Sequence, residues 1–401
     1  MDGTATHAPL AGLLPRLAAD PALTAVAGSR DARLAVAAAA RPAVLAGLAH
    51  SSDRAPLVVA VPTTEEAERT VADLQQFLPA GAVAYFPAWE TLPFERVSPS
   101  TETMGLRLST MWRLRTGDPS LRVVVATARA LVQRLGPHVE DTEPVVVRPG
   151  DQVDSHDLVR LLVEAGYRRE YQVEHRGEVA VRGSIVDVFP STADVPVRID
   201  LWGDEVDRLC EFSVADQRAG VDVAELVVLP ARELLPTDEV RARAEVLLGA
   251  EPWGREQWQR LADGETFEGM ESWLAWLSPD EHVLFDLVGD DGLILLVEPR
   301  RLRDRAADIV AEEVDLATTL ARTWEADQDA APRLHVDFDR LLTHTGAPVW
   351  SVLGVADAPS TPTVEVEAWA PPGGDGAPLV AQLRSVLSAG GTVVAGTETQ
   401  A

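Results

Sequence analysis

The stretch Leu57-Val-Val-Ala-Val-Pro-Thr-Thr-Glu-Glu-Ala67 gives the clearest indication of the fold. Its first five residues are all apolar, which is typical of a strand buried on both faces of a parallel sheet. Thr64, Glu65 and Glu66 then bring capping residues and acids to the point where a helix would begin, and the helix dipole favours negative charge there. We therefore expect a strand over 57–61 and a helix over 63–77.

The same pattern continues on both sides of this unit. Residues 8–50 are alanine-rich and indicate helix, and short apolar runs predict further strands at 83–86, 121–126 and 293–297. Short, continuously apolar strands that alternate with helices predict an α/β domain built on a parallel sheet.

The pattern changes near Pro144 and changes back after about Pro230. Between 173 and 212 the apolar residues alternate with polar ones, as in Val197, Ile199 and Leu201. Period-2 alternation predicts an antiparallel sheet with one buried and one exposed face.

The composition excludes several kinds of catalysis. All 35 basic residues are arginine, and 63 acids give a net charge of −28. Without lysine the chain has no P-loop lysine, no Schiff base and no kinase-type ion pair. Such acidity also argues against non-specific binding of nucleic acid, which needs many cationic contacts to phosphate.

The sequence also argues against a working nucleotide site. Where a P-loop would lie, the chain has Val36-Ala-Ala-Ala-Ala-Arg-Pro-Ala43, whose side chains obstruct a phosphate. Glu298 stands at the tip of the 293–297 strand, but Pro299 takes the place of a second acid. We therefore assign no catalytic residue, no cofactor and no metal to this chain.

The chain is expected to be cytoplasmic and not bound to a membrane. Cys210 is the single cysteine, which fits a reducing compartment. The N-terminus lacks the pattern of a signal peptide, and no run of eighteen apolar residues occurs.

Two groups of residues have both a functional and a structural interpretation. On a strand, His335, Asp337 and Asp339 would share one face and could ligate a metal, but a solvated edge is the favoured interpretation. The second group is four tryptophans at helix-compatible spacings, for which core packing is favoured over base stacking. They are Trp253, Trp258, Trp273 and Trp276.

Trp202 differs from the other tryptophans. Alternation places it with Arg198 on the outer face of its strand, and Arg182 lies on the outer face of the preceding strand. An exposed tryptophan among arginines has the composition of a protein-binding hot spot. The equal alternative is that a neighbouring domain covers Trp202 and that Arg198 pairs with a nearby acid.

Several long motifs resemble the N-terminal, UvrB-like region of bacterial transcription-repair coupling factors (Mfd). The resemblance covers nearly the whole chain from about residue 30. The motifs are Phe86-Pro-Ala-Trp-Glu-Thr-Leu-Pro-Phe-Glu-Arg-Val-Ser-Pro99, Arg107-Leu-Ser-Thr-Met-Trp-Arg-Leu114, Gly177-Glu-Val-Ala-Val-Arg-Gly-Ser-Ile-Val-Asp-Val-Phe-Pro190, Pro196-Val-Arg-Ile-Asp-Leu-Trp-Gly-Asp-Glu205 and Phe212-Ser-Val-Ala-Asp-Gln-Arg218.

The resemblance implies a degenerate helicase-like α/β domain in two halves, interrupted by a smaller antiparallel α+β domain. We expect the first half at 1–143, the inserted domain at 144–232 and the second half at 233–352. Residues 353–401 would then be a linker and the truncated start of a further small α/β domain.

The resemblance also implies a function. The family uses the inserted domain to bind UvrA, and its partner-binding arginines and aromatic match Arg182, Arg198 and Trp202, although some relatives have phenylalanine at the last position. RNA polymerase, double-stranded DNA, ATP and magnesium would be bound by domains absent from this chain.

We therefore expect a non-catalytic module that recruits UvrA to RNA polymerase stalled at damage. The alternatives are a working UvrB-type ATPase or helicase and a structural brace for a downstream motor.

Overall fold

The computed structural model describes residues 8–92, 95–278, 280–324, 332–367, 377–391 and 393. The chain divides into two compact units, Met1–Val364 and Glu365–Ala401. No helix in the described residues combines the length and the apolar character needed to cross a lipid bilayer.

The strands of the described residues all lie in the first unit. They are β1 Asp31–Ala35, β2 Leu57–Val61, β3 Val83–Phe86, β4 Val123–Thr127, β5 Val145–Val147, β6 Arg168–Arg169, β7 Glu178–Arg182, β8 Ile185–Phe189, β9 Val197–Trp202, β10 Glu205–Phe212, β11 Ala219–Asp222, β12 Leu226–Val228, β13 Leu293–Val297 and β14 Val349–Leu353.

The α-helices are distributed through both units. They are α1 Leu14–Ala18, α2 Pro21–Val26, α3 Arg41–Ser51, α4 Thr64–Leu74, α5 Thr101–Arg115, α6 Ala128–Val132, α7 Ser155–Glu164, α8 Asp238–Ala250, α9 Arg255–Ala262, α10 Leu274–Leu277, α11 Pro299–Trp324 and α12 Ala377–Ser388. Short 3-10 turns occur between them, for example at Val139–Asp141 and Phe338–Leu342.

The larger sheet is parallel and is built from two separated parts of the chain. Its strand order is β1-β14-β13-β2-β4-β3. Strands β13 and β14 follow the antiparallel region in sequence, yet they lie between β1 and β2, and Leu57 of β2 has Leu293 and Val123 as its two neighbours. The prediction of a parallel α/β domain in two halves is confirmed.

Each face of the parallel sheet packs into its own apolar core. Val58, Val124 and Ile294 point to one side, where Met104 and Leu108 of α5 cover them. The next residues along the same strands point to the other side and meet α3 and α4. This double burial explains why β2, β4 and β13 are continuously apolar.

The predicted helix after β2 is also confirmed. Helix α4 begins at Thr64, and the hydroxyl of Thr63 accepts a hydrogen bond from the Glu66 amide at 3.3 Å. Thr63 is therefore the N-cap, and the two acids lie in the first turn.

The second sheet belongs to the interrupting region. Its order is β11-β10-β9-β8-β7-β6, and all neighbouring strands are antiparallel except β6 and β7. Helix α7 covers the buried face, where Leu162, Val179, Val188 and Ile199 form one cluster. At the root of this region β5 pairs with β12, so the chain enters and leaves it side by side.

Four tryptophans form an aromatic cluster beside helices α8 to α10. Trp258, Trp273 and Trp276 are buried, and the centroids of the Trp258 and Trp273 rings are 5.0 Å apart in an edge-to-face arrangement. Trp253 packs against the same cluster. The prediction that these tryptophans form a core is confirmed.

The prediction of helix throughout residues 8–50 is wrong at β1. This strand has β14 as its one neighbouring strand, with a single further bridge from Ala35 to Thr363, so it forms an edge of the sheet and alternates between exposed and buried residues at its start. Its alanines and its half-polar face leave no continuous apolar run to reveal it.

The second unit is described only in part. After the proline- and glycine-rich stretch at 371–378 the sequence predicts one more helix and then a strand at 392–395. Helix α12 confirms the helix. Of the strand predicted at 392–395, only residue 393 is described, so the prediction lies largely outside the described residues.

Candidate functional site

The outer face of the antiparallel sheet carries all three residues predicted to bind a partner. In β9, Val197, Ile199 and Leu201 are buried, whereas Arg198, Asp200 and Trp202 lie on the opposite face. Arg182 at the end of β7 is opposite Ile185, which in turn is opposite Asp200 of β9. Since directly opposite residues share a face, Arg182, Arg198 and Trp202 lie on the same side of the sheet.

Both arginines are held by one buried acid, Asp187 of β8. The Arg198 guanidinium binds its carboxylate through Nε–Oδ1 at 2.7 Å and Nη2–Oδ2 at 3.0 Å. Arg182 donates from Nη2 to Oδ2 at 2.5 Å. The Asp187 side chain is only 1% exposed, so its charge is compensated by the two guanidinium groups and not by water.

The remaining contacts of Arg198 fix its position. Its guanidinium lies 4.7 Å from the centre of the Phe212 ring, and its Nη1 donates to the carbonyl of Gln217 at 3.2 Å. Hydrogen bonding to Asp187 raises the pKa of Arg198, although burial opposes its charge. Arg198 therefore stays charged and fixed beneath the surface of the sheet.

The two arginine side chains differ in how much of their surface is exposed to a binding partner. The Arg198 side chain is 12% exposed and that of Arg182 is 33% exposed. Two guanidinium groups share the Asp187 carboxylate, so these three residues together carry one net positive charge, while Asp200 on the same face adds a negative charge nearby. The pairing of Arg198 with a nearby acid, which the sequence left open, is present.

Trp202 is the most exposed apolar side chain on this face. It is 82% exposed and stands at the last residue of β9, before the turn at Gly203. No other domain within the described residues covers it. The turns after β7 and β9 lie at the same end of the sheet, and the Leu201 amide donates to the carbonyl of Ser184 at 2.8 Å. Trp202 and Arg182 therefore lie at the same end of one face.

Asp187 and Gln217 are part of this site but were missed by sequence reasoning. Gln217 Oε1 accepts from Arg182 at 3.2 Å, and its own carbonyl accepts from Arg198. The sequence does contain one signal, because Val186-Asp-Val188 places an acid directly across from Arg198 once the register is known.

The carboxyl ends of the parallel strands are where a nucleotide site would lie in this fold. A cavity of about 320 Å³ lies there, lined among others by Ala38, Arg41 and Val297. Arg41, at the start of α3, forms an ion pair with Glu298. The acid at the strand tip is therefore neutralised by an arginine from the segment that would form a phosphate loop.

The candidate metal ligands His335, Asp337 and Asp339 do not converge. His335 is buried, and its Nδ1 lies 2.9 Å from Glu313 Oε2, whereas both aspartates are exposed. The prediction of a strand here is wrong because Phe338 and Leu341 both pack into the core, which requires the turn at Phe338–Leu342. The prediction that the run is a solvated edge is wrong for His335.

Comparisons with known proteins identify relatives of this chain. A family model described as the UvrB interaction domain matches residues 145–234. The chain is 34% identical over 422 residues to the transcription-repair-coupling factor of Mycobacterium tuberculosis (strain CDC 1551), which covers 96% of this chain and 34% of that protein.

Two further relatives carry the same name. The transcription-repair-coupling factor of Myxococcus xanthus is 34% identical over 308 residues, covering 72% of this chain and 26% of that protein. That of Bacillus subtilis is 26% identical over 332 residues, covering 77% of this chain and 28% of that protein. The chain therefore spans only about a third of the length of the mycobacterial relatives, 34%.

Proposed function

Because the chain is homologous to the N-terminal, UvrB-like region of bacterial transcription-repair-coupling factors, we propose that it recruits UvrA to RNA polymerase stalled at DNA damage. The observation that carries the proposal is Trp202, which is 82% exposed on the same sheet face as Arg182 and Arg198 in the matched UvrB interaction domain. Large exposed aromatics next to arginine are the residues that most often dominate binding energy at protein interfaces.

Each of the three residues has a distinct role in this proposal, and we call the surface that they form the recruiting face. Trp202 inserts into an apolar pocket of UvrA. Arg182, with a third of its side chain exposed, makes a charge-assisted hydrogen bond to a carboxylate of UvrA. Arg198 offers only the small exposed part of its guanidinium, and its main contribution is the positive charge that it holds under the surface.

The experiment measures binding of the whole chain to UvrA by isothermal titration calorimetry. Trp202→Ala is expected to weaken binding by about 2 kcal/mol, roughly thirtyfold, and Arg182→Ala by a smaller factor. The matched control is Tyr171→Ala, which removes another exposed aromatic of the same domain and is expected to leave the affinity unchanged.

A stability control and a combined binding result decide whether this surface recruits UvrA. Trp202→Ala must unfold at the same temperature as the parent chain, because an exposed side chain adds little to stability. If Trp202→Ala and Arg182→Ala both bind UvrA as tightly as the parent chain does, UvrA is recruited by another surface.

The wider function requires parts beyond this chain. We assign RNA-polymerase binding, translocation on double-stranded DNA and displacement of the polymerase to regions of the parent protein outside residues 1–401, together with the ATP and magnesium that drive them. This assignment is supported by the larger size of the relatives, because the chain covers only 34% of the length of the mycobacterial protein. The site of action would be the cytoplasm.

The runner-up is a working UvrB-type ATPase or helicase. It is favoured by the parallel sheet and by the cavity at its carboxyl edge. Against it stands the ion pair of Arg41 with Glu298, which occupies the acid that would otherwise position a magnesium ion. Magnesium-ATP is expected to leave the melting temperature unchanged, and a rise that depends on nucleotide concentration would favour the runner-up.

A further inference from the structure

Two histidines and a glutamate that are not part of the recruiting face lie close together. His138 and Glu140 lie between α6 and β5, and His282 lies between α10 and β13. Glu140 Oε1 is 3.0 Å from His282 Nε2 and 3.5 Å from His138 Nδ1. The three ligand atoms all lie within 4.8 Å of one another, the one such group in the described part of the chain.

The glutamate at the centre of this group is incompletely satisfied. Its side chain is only 4% exposed, and Oε2 has no hydrogen-bond partner among the residues that the structure describes. A buried carboxylate oxygen without a partner is costly, which indicates that a further ligand belongs there. Oε1 faces both imidazoles. A cation bound between the three residues would therefore take Oε1 as its ligand, and the unpartnered Oε2 leaves this carboxylate with a second oxygen to offer.

The surroundings orient His282 as they do in metal sites. Asp286 Oδ2 lies 3.6 Å from His282 Nδ1 and is itself held by the Arg340 guanidinium at 2.8 Å. At 3.6 Å the contact is an ion pair and not a hydrogen bond, so Asp286 favours a proton on Nδ1 by its charge and leaves the other ring nitrogen for a metal. His282 Nε2, the nitrogen that faces Glu140, is that other nitrogen.

We propose that His138 Nδ1, His282 Nε2 and the Glu140 carboxylate bind a divalent transition-metal ion of the zinc class. Two imidazoles and one carboxylate suit zinc, whereas calcium and magnesium prefer oxygen ligands alone. Because His138 is half exposed, water can fill the remaining position. Binding replaces the hydrogen bond between His282 and Glu140 and releases the shared proton to solvent.

The position of the ion would give it a structural role. Residues 138 and 140 come shortly before β5, where the inserted region begins, whereas His282 belongs to the second half of the α/β domain. An ion bound to all three would tie the two halves together near the base of the insert. This inference does not depend on UvrA binding.

The test uses the whole chain after treatment with chelator. Titration with zinc chloride in a calorimeter is expected to show one tight site per chain and to raise the melting temperature. His138→Ala and Glu140→Gln should each weaken zinc binding at least tenfold. Magnesium chloride should not replace zinc.

The matched control is His175→Ala. His175 Nδ1 also lies near a buried glutamate, 3.4 Å from Glu178 Oε1, but within the described residues no second histidine joins that pair. This variant is expected to bind zinc as the parent chain does. The proposal is overturned if the parent chain shows no saturable zinc binding, or if His138→Ala and Glu140→Gln, both still folded by circular dichroism, bind zinc with the parent affinity.

Discussion

Gly105 of helix α5 touches the backbone of Ser191 in the inserted region so closely that no side chain fits between them. A Cβ atom at Gly105 would lie 2.5 Å from the Ser191 carbonyl oxygen. The neighbouring contacts on Ser191 come from its own region, because its amide donates to the Tyr167 hydroxyl at 3.1 Å and its hydroxyl donates to the carbonyl of Pro230 at 3.0 Å. The helix is thus seated directly on a hydrogen-bonded backbone.

Gly105→Ala is expected to destabilise the protein by about 1–3 kcal/mol, since overpacking forces a backbone shift. In an open helix the same change stabilises by about 1 kcal/mol. Gly249 in helix α8 is the control, because a Cβ atom added there would meet nothing within 4 Å beyond its chain neighbours and its own helix backbone, and Gly249→Ala should stabilise. Urea unfolding of both variants measures whether the free energy of unfolding rises or falls. A rise for Gly105→Ala would contradict the close contact.

Arg107 and Glu233 form a fully buried ion pair, and removing one partner should be far more damaging than neutralising both. Arg107 Nε donates to Glu233 Oε1 at 2.6 Å, and Trp89 Nε1 donates to the same oxygen at 2.8 Å. Arg107→Met leaves an uncompensated carboxylate, for which we expect a loss of about 3–5 kcal/mol.

Adding Glu233→Gln to Arg107→Met should recover part of this loss, because the amide oxygen keeps the hydrogen bond from Trp89 without the charge. Chemical denaturation of the single and double variants measures the difference. A double variant less stable than Arg107→Met would show that the pair contributes by shape and not by charge.

Asp187→Asn should leave the two arginines of the recruiting face without their shared counter-charge. Because the carboxylate is buried, we expect the free energy of unfolding to fall by about 3 kcal/mol. Asp200→Asn, on the same face but half-buried, should change it by less than about 0.5 kcal/mol. Equal effects of the two substitutions in urea unfolding would contradict the central position of Asp187.

His282 should make the stability of the chelator-treated protein depend on pH. Burial opposes the charge of His282, but Asp286 and Glu140 outweigh burial and raise its pKa from 6.5 to about 9. His138 also contacts Glu140, and Arg340 also contacts Asp286. Because the pKa of His282 is higher in the folded state, its protonation stabilises the folded protein fully below pH 6.5. This stabilisation is lost as the pH rises through about 9.

The measurement is the difference in free energy of unfolding between the parent chain and His282→Gln across this range. The difference should shrink as the pH rises, and taking it cancels the titration of groups common to both proteins. A difference that stays constant or grows would contradict a protonated His282 between the two carboxylates.

The strands of the parallel sheet differ in how well their sequence predicts them, and burial explains why. Leu57–Val61 and Leu293–Val297 are covered on both faces, so every residue is apolar and the pattern is unambiguous. Asp31–Ala35 pairs with a strand on one side only, apart from a single bridge at Ala35, and its alanines and polar residues are compatible with helix. An edge strand rich in alanine has no local signal that distinguishes it from the helices around it.

The recruiting face was predictable only where it depends on alternation. The period-2 pattern of Val197–Trp202 places Trp202 on the outside, as observed. The same pattern also assigns Asp187 to the outer face, but its burial comes from arginines five and eleven residues away in other strands. The pairing of Glu140 with His282 spans 142 residues, and no spacing within the sequence reveals it.

The pairing of Val145–Val147 with Leu226–Val228 has a consequence for how such proteins evolve. A segment whose two ends already meet can be transferred between genes as a cassette, because the host chain has only a short gap to close. Partner choice could then change in one recombination event while the parallel sheet stays intact. The close contact with Ser191 sets one condition, namely that a recipient helix must offer a glycine where this chain has Gly105.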